Sequence, residues 1–152
     1  MVGFVLTGHG QFSTGLATAI HMVAGDTPYF ETVTFDNDEA ATFSERLSKT
    51  IHEMRSACTG VVVFCDLLGG TPFNQSMMCA AEVDNVTVVC GTNLPMMIEA
   101  LFTRMSNDDA TADELANIAI SAGKDAVVLK HAELLEQSDD CDNTFSDDED
   151  GI

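Results

Sequence analysis

Five consecutive apolar residues, Val61-Val-Val-Phe-Cys65, leave this segment without a polar face. A strand with one face in water alternates apolar and polar side chains, whereas an unbroken run marks a central parallel strand covered on both sides. The remaining chain offers helices to do the covering. Residues 2–7 read as a first strand. Phe12 to Val23 carries Phe12, Leu16, Ile20 and Val23 at helical spacing and is closed by Gly25-Asp26. Phe30 to Phe35 reads as a second strand. Asp38 to Ala57 forms a second helix with Phe43, Leu47, Ile51 and Met54 as its stripe. After the apolar run come a helix from Pro72 to Glu82, a strand from Val86 to Cys90 and a helix from Leu94 to Met105. Thr111-Ala-Asp-Glu114 matches a capping box, which predicts a fifth helix ending at Ala122 before Gly123. Ala126 to Leu129 reads as a last short strand. Strand–helix alternation predicts a doubly wound, mostly parallel α/β sheet with helices on both faces.

The chain of 152 residues suits one domain with a full core. Its formal net charge of −19, with six Lys plus Arg, repels nucleic acid and anionic membranes and favours a protein partner with a basic face. Residues 132–152 hold nine of the 25 acids and no Lys or Arg, so the remainder still carries −10. We place the domain at residues 1–137 and expect the acidic, weakly apolar segment 138–152 to be disordered. The apolar first residues lack a basic segment before them and a small-residue cleavage site after them, so they read as a strand and the expected location is the cytoplasm. The five cysteines are odd in number and contain no CxxC pair. They read as reduced thiols, Cys65 and Cys90 within strand-like runs as buried ones, and we expect no metal or cofactor.

Two motifs carry the chemistry. Thr7-Gly8-His9-Gly10 follows the first strand, and Asp66-Leu67-Leu68-Gly69-Gly70-Thr71-Pro72 follows the third. Ligands of open parallel sheets bind beyond the strands' carboxyl ends, at the point where strand order reverses. In a 2-1-3-4 order, that crevice lies between strands 1 and 3, so His9 and Asp66 meet. Asp66 then accepts the Nδ1 proton and leaves Nε2 as the nucleophile. Gly69 and Gly70 allow close approach to an anion, with Thr71 as a helix N-cap and Pro72 as first helical residue. Free amides at that helix start favour phosphate oxygens. The pattern predicts a site that carries a phosphoryl group on His9, beside Gly69, Gly70 and Thr71. His21 and His52 fall within helices and read as surface residues, and His131 has no evident partner. Met77-Met78 and Met96-Met97 read as core filler. Asn93 reads as a helix cap or as a lining residue of the site.

Those residues resemble a known family. Thr7-Gly-His9-Gly, Asp66-Leu-Leu-Gly-Gly-Thr-Pro-Phe-Asn74 and Gly91-Thr-Asn-Leu-Pro95 are similar to the IIA component of the mannose-type phosphoenolpyruvate-dependent sugar phosphotransferase system, over residues 1 to about 130. The resemblance implies that His9 accepts phosphate from phospho-HPr on Nε2 and passes it to a separate IIB component, which phosphorylates sugar entering through a IIC–IID membrane complex. It implies that Asp66 holds His9 and that Leu68 to Thr71 line the pocket. It further implies a homodimer and a last strand lying antiparallel at a sheet edge. The wording of the loop leans toward the N-acetylgalactosamine/galactosamine branch.

Three other functions would use parts of this pattern. A phosphatase using His9 would want the arginine of an Arg-His-Gly motif, but Gly8 stands before His9, and Arg46, Arg55 and Arg104 all fall in predicted helices. An anion-binding regulatory module would not need His9. The phosphotransfer subunit of dihydroxyacetone kinase shares a similar fold and histidine, but the full Gly-Gly-Thr-Pro-Phe loop favours the sugar system.

Overall fold

The computed structural model describes residues 1–132; the segment 138–152 and Cys141 lie outside them. The elements are β1 (Gly3–His9), α1 (Phe12–Ala24), β2 (Phe30–Phe35), a single 3-10 turn (Asn37–Glu39), α2 (Ala40–Ala57), β3 (Val61–Cys65), α3 (Thr71–Glu82), β4 (Val86–Val89), α4 (Leu94–Ser106) and α5 (Ala112–Asp125). The sheet order is β2-β1-β3-β4, and all three pairings are parallel. This is the doubly wound sheet that the strand–helix alternation requires.

The two-sided burial of β3 follows directly from its sequence. Val62 and Phe64 face one core, with Phe4 and Leu6 of β1 and the apolar stripes of α1, α4 and α5. Val61, Val63 and Cys65 face the other, with Val5, Val33, Phe35 and the α2 stripe of Phe43, Leu47, Ile51 and Met54. Each face is sealed because successive side chains along a strand point opposite ways.

Four expectations need correction. Ala126 to Leu129 is not a strand: among the described residues the sheet has four strands and no antiparallel edge. Val127, Val128 and Leu129 follow α5 in irregular backbone, 77%, 64% and 81% exposed, with no neighbouring strand to supply the ladder that β-propensity alone cannot provide. Gly123 does not end α5 but lies buried inside it, where a Cβ would collide with the Met96 side chain; it is a contact point between α4 and α5. On α1 the buried residues are Ser13 and Ile20; Val23 is exposed, and Ala24, four residues after Ile20, packs on the core in its place. Met96 and Met97 fill the core as expected, but Met77 and Met78 lie on the outer side of α3. The capping box does form: Thr111 Oγ1 accepts from Glu114 N at 3.2 Å, and Glu114 Oε2 accepts from Thr111 N at 2.8 Å.

At the amino ends of the strands a buried guanidinium ties the fold together. Arg104 of α4, 1% exposed, donates through Nη1 to the carbonyls of Val2 and Tyr29, each at 3.1 Å, and through Nη2 to that of Pro28 at 2.8 Å. Its planar cation lies 4.5 Å from the centre of the Phe4 ring. Burial lowers its pKa from the usual arginine range, yet the three carbonyl dipoles still favour the charged form. An Arg104→Met chain keeps the packing but strands the Val2 and Pro28 carbonyls, the Tyr29 carbonyl keeping the Phe4 N–H at 2.9 Å, so it should lose about 3 kcal/mol of stability, measured as a shift in the urea midpoint.

Candidate functional site

β1 carries the first functional side chain on its last residue. His9 pairs in register with Phe35, the last residue of β2, so the histidine sits on the sheet itself and not in the loop beyond it. On the other side β1 pairs with β3 up to Thr7 and Cys65, which places Asp66 one step beyond the ladder and beside His9. The two expected partners therefore meet. Asp66 Oδ2 accepts the backbone N–H of His9 at 2.8 Å and lies 2.9 Å from His9 Nδ1. A carboxylate can only accept, so Nδ1 carries the proton and Nε2 keeps the lone pair.

Gly8 makes this approach possible. A Cβ there would stand 2.8 Å from Asp66 Cγ and 2.5 Å from a Phe12 ring carbon. The chain after β4 fixes Asp66 from behind: Gly91 N donates to the Asp66 carbonyl and Thr92 N to that of Cys65, both at 3.2 Å, and Thr92 Oγ1 adds a bond of 2.8 Å to the Cys65 carbonyl. The third motif of the sequence thus earns its place as a brace for the end of β3. Its Asn93 caps α4, accepting from Met96 N at 3.1 Å and donating to the Gly123 carbonyl at 3.3 Å.

Burial alone would raise the Asp66 carboxyl. The His9 backbone N–H, the His9 imidazole and the Leu67 N–H outweigh it and hold the group below its ordinary value. Asp66 is therefore ionised at neutral pH, 16% exposed, against an imidazole that is 44% exposed. Next to it, burial pushes the Cys65 thiol up to about 11, which leaves it a protonated packing group.

The imidazole is held on two more sides. The Phe35 ring meets it edge to face, with centres 5.4 Å apart and planes at 88°. A Cβ on Gly70 would lie 2.7 Å from His9 Cε1 and 3.4 Å from Nε2, so the loop backbone runs directly against the reactive edge. Phe35 escaped the sequence reading, because its place beside His9 depends on the register of two strands that no local pattern encodes. The loop differs in one detail from expectation. Gly70, not Thr71, is the N-cap of α3; Thr71 and Pro72 are its first two residues, and no side chain caps them. Gly69 adopts φ +77°, and the Gly70 N–H closes a turn on the Leu67 carbonyl at 3.3 Å. Thr71 and Phe73 N–H meet no acceptor among the described residues, as befits the first turn of a helix. Leu68 projects at the turn, 69% exposed.

A cavity of about 160 Å³ opens beside His9, lined by Gly10, Phe35, Asp36 and Asn37. All three arginines are engaged elsewhere: Arg46 on Glu39 and the Thr34 carbonyl, Arg55 on Asp84 and Arg104 at the far end of the strands. His21 and His52 are exposed, the first 3.1 Å from Asp26 and the second bonded to the Ser48 carbonyl.

Residues 3–120 match the model of the EIIA-man family, described as the PTS system fructose IIA component. The chain belongs to this family. It is 26% identical over 138 residues to the mannose-specific EIIAB component of the phosphotransferase system of Escherichia coli K12, covering 90% of this chain and 42% of that protein. It is 28% identical over 105 residues to the fructose-specific EIIA component of Bacillus subtilis 168, covering 68% and 71% of the two. The chain thus spans less than half the length of the Escherichia coli relative. Among solved structures, phosphotransferase system component EIIA from Streptococcus agalactiae superposes with a TM-score of 0.74 at 26% identity, covering 85% of this chain and 97% of that one. The mannose-type IIA resemblance of the three motifs therefore stands. These descriptions name mannose and fructose, and the lean toward the N-acetylgalactosamine branch is not confirmed. No helix among the described residues is long and apolar enough to cross a membrane.

The contact between Gly70 and the imidazole makes a specific prediction. In Gly70→Ala the half-exposed ring should swing aside, because moving it is easier than moving backbone. The melting temperature should stay within about 3 °C of wild type. Nitrogen NMR of His9 should show Nδ1–H exchanging faster with water as its bond to Asp66 loosens. Unchanged His9 signals would mean that the loop does not constrain the ring.

Proposed function

We propose that this chain is the phosphocarrier of a sugar phosphotransferase system and that His9 carries the phosphoryl group on Nε2. One observation carries the reading: an imidazole whose Nδ1 is committed to an ionised Asp66 and whose Nε2 edge faces the glycine loop at the start of α3. In the step proposed, the Nε2 lone pair attacks the phosphorus of a phosphohistidine donor as the donor's N–P bond breaks. The imidazole gains cationic character, which the Asp66 carboxylate stabilises through the Nδ1 proton that it holds. Passing the group on reverses these roles with an acceptor histidine. The free amides of the first turn of α3 and its dipole would offset the phosphoryl oxygens' charge, with Leu68 to Thr71 forming the wall of the pocket.

On this reading HPr would be the donor and a IIB component the acceptor, with the IIC–IID membrane complex beyond it. The acidic surface suits a basic docking face on such partners.

Mixing the chain with phosphoenolpyruvate, enzyme I and HPr should add one acid-labile phosphoryl group, which His9→Ala should abolish. Asp66→Asn should fold and accept phosphate at least roughly tenfold more slowly, a barrier increase of about 1.4 kcal/mol. Labelling that survives in His9→Ala would overturn the assignment.

We also propose that the chain pairs with a second copy. Val127, Val128 and Leu129 form an exposed apolar run, and β2 and β4 are open sheet edges among the described residues. An unpaired edge and an unpaired apolar segment are natural complements between copies. Light scattering at micromolar concentration should give twice the chain mass, and Val128→Lys should shift it toward one. A wild-type monomer would refute the pairing.

A further inference from the structure

Gly69-Gly70 is the one place in the chain where two glycines adjoin. The peptide between them therefore has the least steric resistance to rotating in place, because neither flanking residue has a Cβ. It leads into Gly70, where a Cβ would lie 2.7 Å from His9 Cε1 and 3.4 Å from Nε2, so its orientation sets how the loop meets the imidazole. With the present orientation its carbonyl is directed to α3 and its N–H to Leu67. Rotated by half a turn, both of those bonds break, and the loop that meets His9 at Gly70 is no longer held in its present shape.

Two bonds hold the peptide. Its N–H donates to the Leu67 carbonyl at 3.3 Å, a long bond. Its carbonyl accepts from Asn74 Nδ2 at 3.0 Å. Gly69 O can only accept, so the amide of Asn74 must present nitrogen to it. Asn74 is in turn anchored on α3, its own N–H closing the first helical bond to the Gly70 carbonyl at 2.9 Å. One exposed side chain thus ties the freest peptide of the chain to a rigid helix.

We infer that Asn74 is a positioning residue: it locks the Gly69–Gly70 peptide against rotation and so keeps the loop receptive to a phosphoryl group on His9. This rests on His9 being the phosphocarrier. Asn74 touches neither the imidazole nor the proposed phosphoryl position; it acts through the loop.

The test uses the full chain with enzyme I, HPr and phosphoenolpyruvate. Asn74→Ala should accept phosphate about fivefold more slowly, in keeping with the modest worth of one exposed hydrogen bond, and with an unchanged melting temperature. Asn74→Gln, which retains an amide donor on a longer arm, should recover part of the rate. The readout that a merely structural role would not move is the Gly70 amide: in Asn74→Ala it should show relaxation dispersion on the microsecond-to-millisecond scale, absent from wild type. Should Asn74→Ala melt early, Asn74→Asp, which has the same shape but no donor, is judged by the same Gly70 dispersion. A wild-type transfer rate in Asn74→Ala, or a quiet Gly70 amide in the donor-free variant, overturns the lock. Failure of the carrier reading is distinct, since it appears as labelling that persists in His9→Ala.

Discussion

The parallel register of β1 on β3 decides where everything else in this molecule falls. It pairs Thr7 with Cys65, so Gly8 and Asp66 come next, and the Asp66 carboxylate reaches the backbone and ring of His9 at the end of β1. A slip of one residue would turn His9 to the opposite face and send Val62 and Phe64 into the wrong core. The register is strongly specified because β3 is apolar on both sides and both cores must be filled at once. The chemistry of the site is thus underwritten by packing: the energy that fixes the histidine–aspartate distance comes from valines, phenylalanines and leucines several residues away.

Much of this was legible in the residues, for reasons that differ from element to element. The β3 run and the α2 stripe announced themselves because burial leaves a periodic trace. The capping box at Thr111 was readable because a cap is a local hydrogen-bond arrangement with a fixed spacing. The meeting of His9 with Asp66 needed one further inference, strand order, which the alternation of elements suggested. The misses share another cause. Phe35 reaches His9 through a non-local register. Gly123 looks like a helix stop until its packing on Met96 is known. The apolar run at 127–129 has strand-like composition but no strand beside it among the described residues. In each case local propensity was outweighed by a contact between segments distant in sequence.

The two ends of the sheet show opposite solutions to an electrostatic problem. At the amino ends Arg104 is a buried cation whose Nη1 and Nη2 meet carbonyl dipoles and whose plane meets an aromatic ring. At the carboxyl ends Asp66 is a carboxylate held through Oδ2 by two N–H groups of His9. The first is sealed and serves only stability. The second is bonded on the inside and faces a ring that stands half in water, which keeps an ionised group both secure and useful.

That ring's openness has a consequence in time. The lining of His9 supplies a wall and a floor, but no described segment covers it. Were the imidazole to hold a phosphoryl group, its N–P bond would stand in contact with bulk water throughout the interval between one partner's departure and the next one's arrival. An uncovered intermediate of that kind has a shelf life set by spontaneous hydrolysis and not by the protein. The chain would then serve best in traffic dense enough that each loaded molecule is relieved well before water claims its cargo.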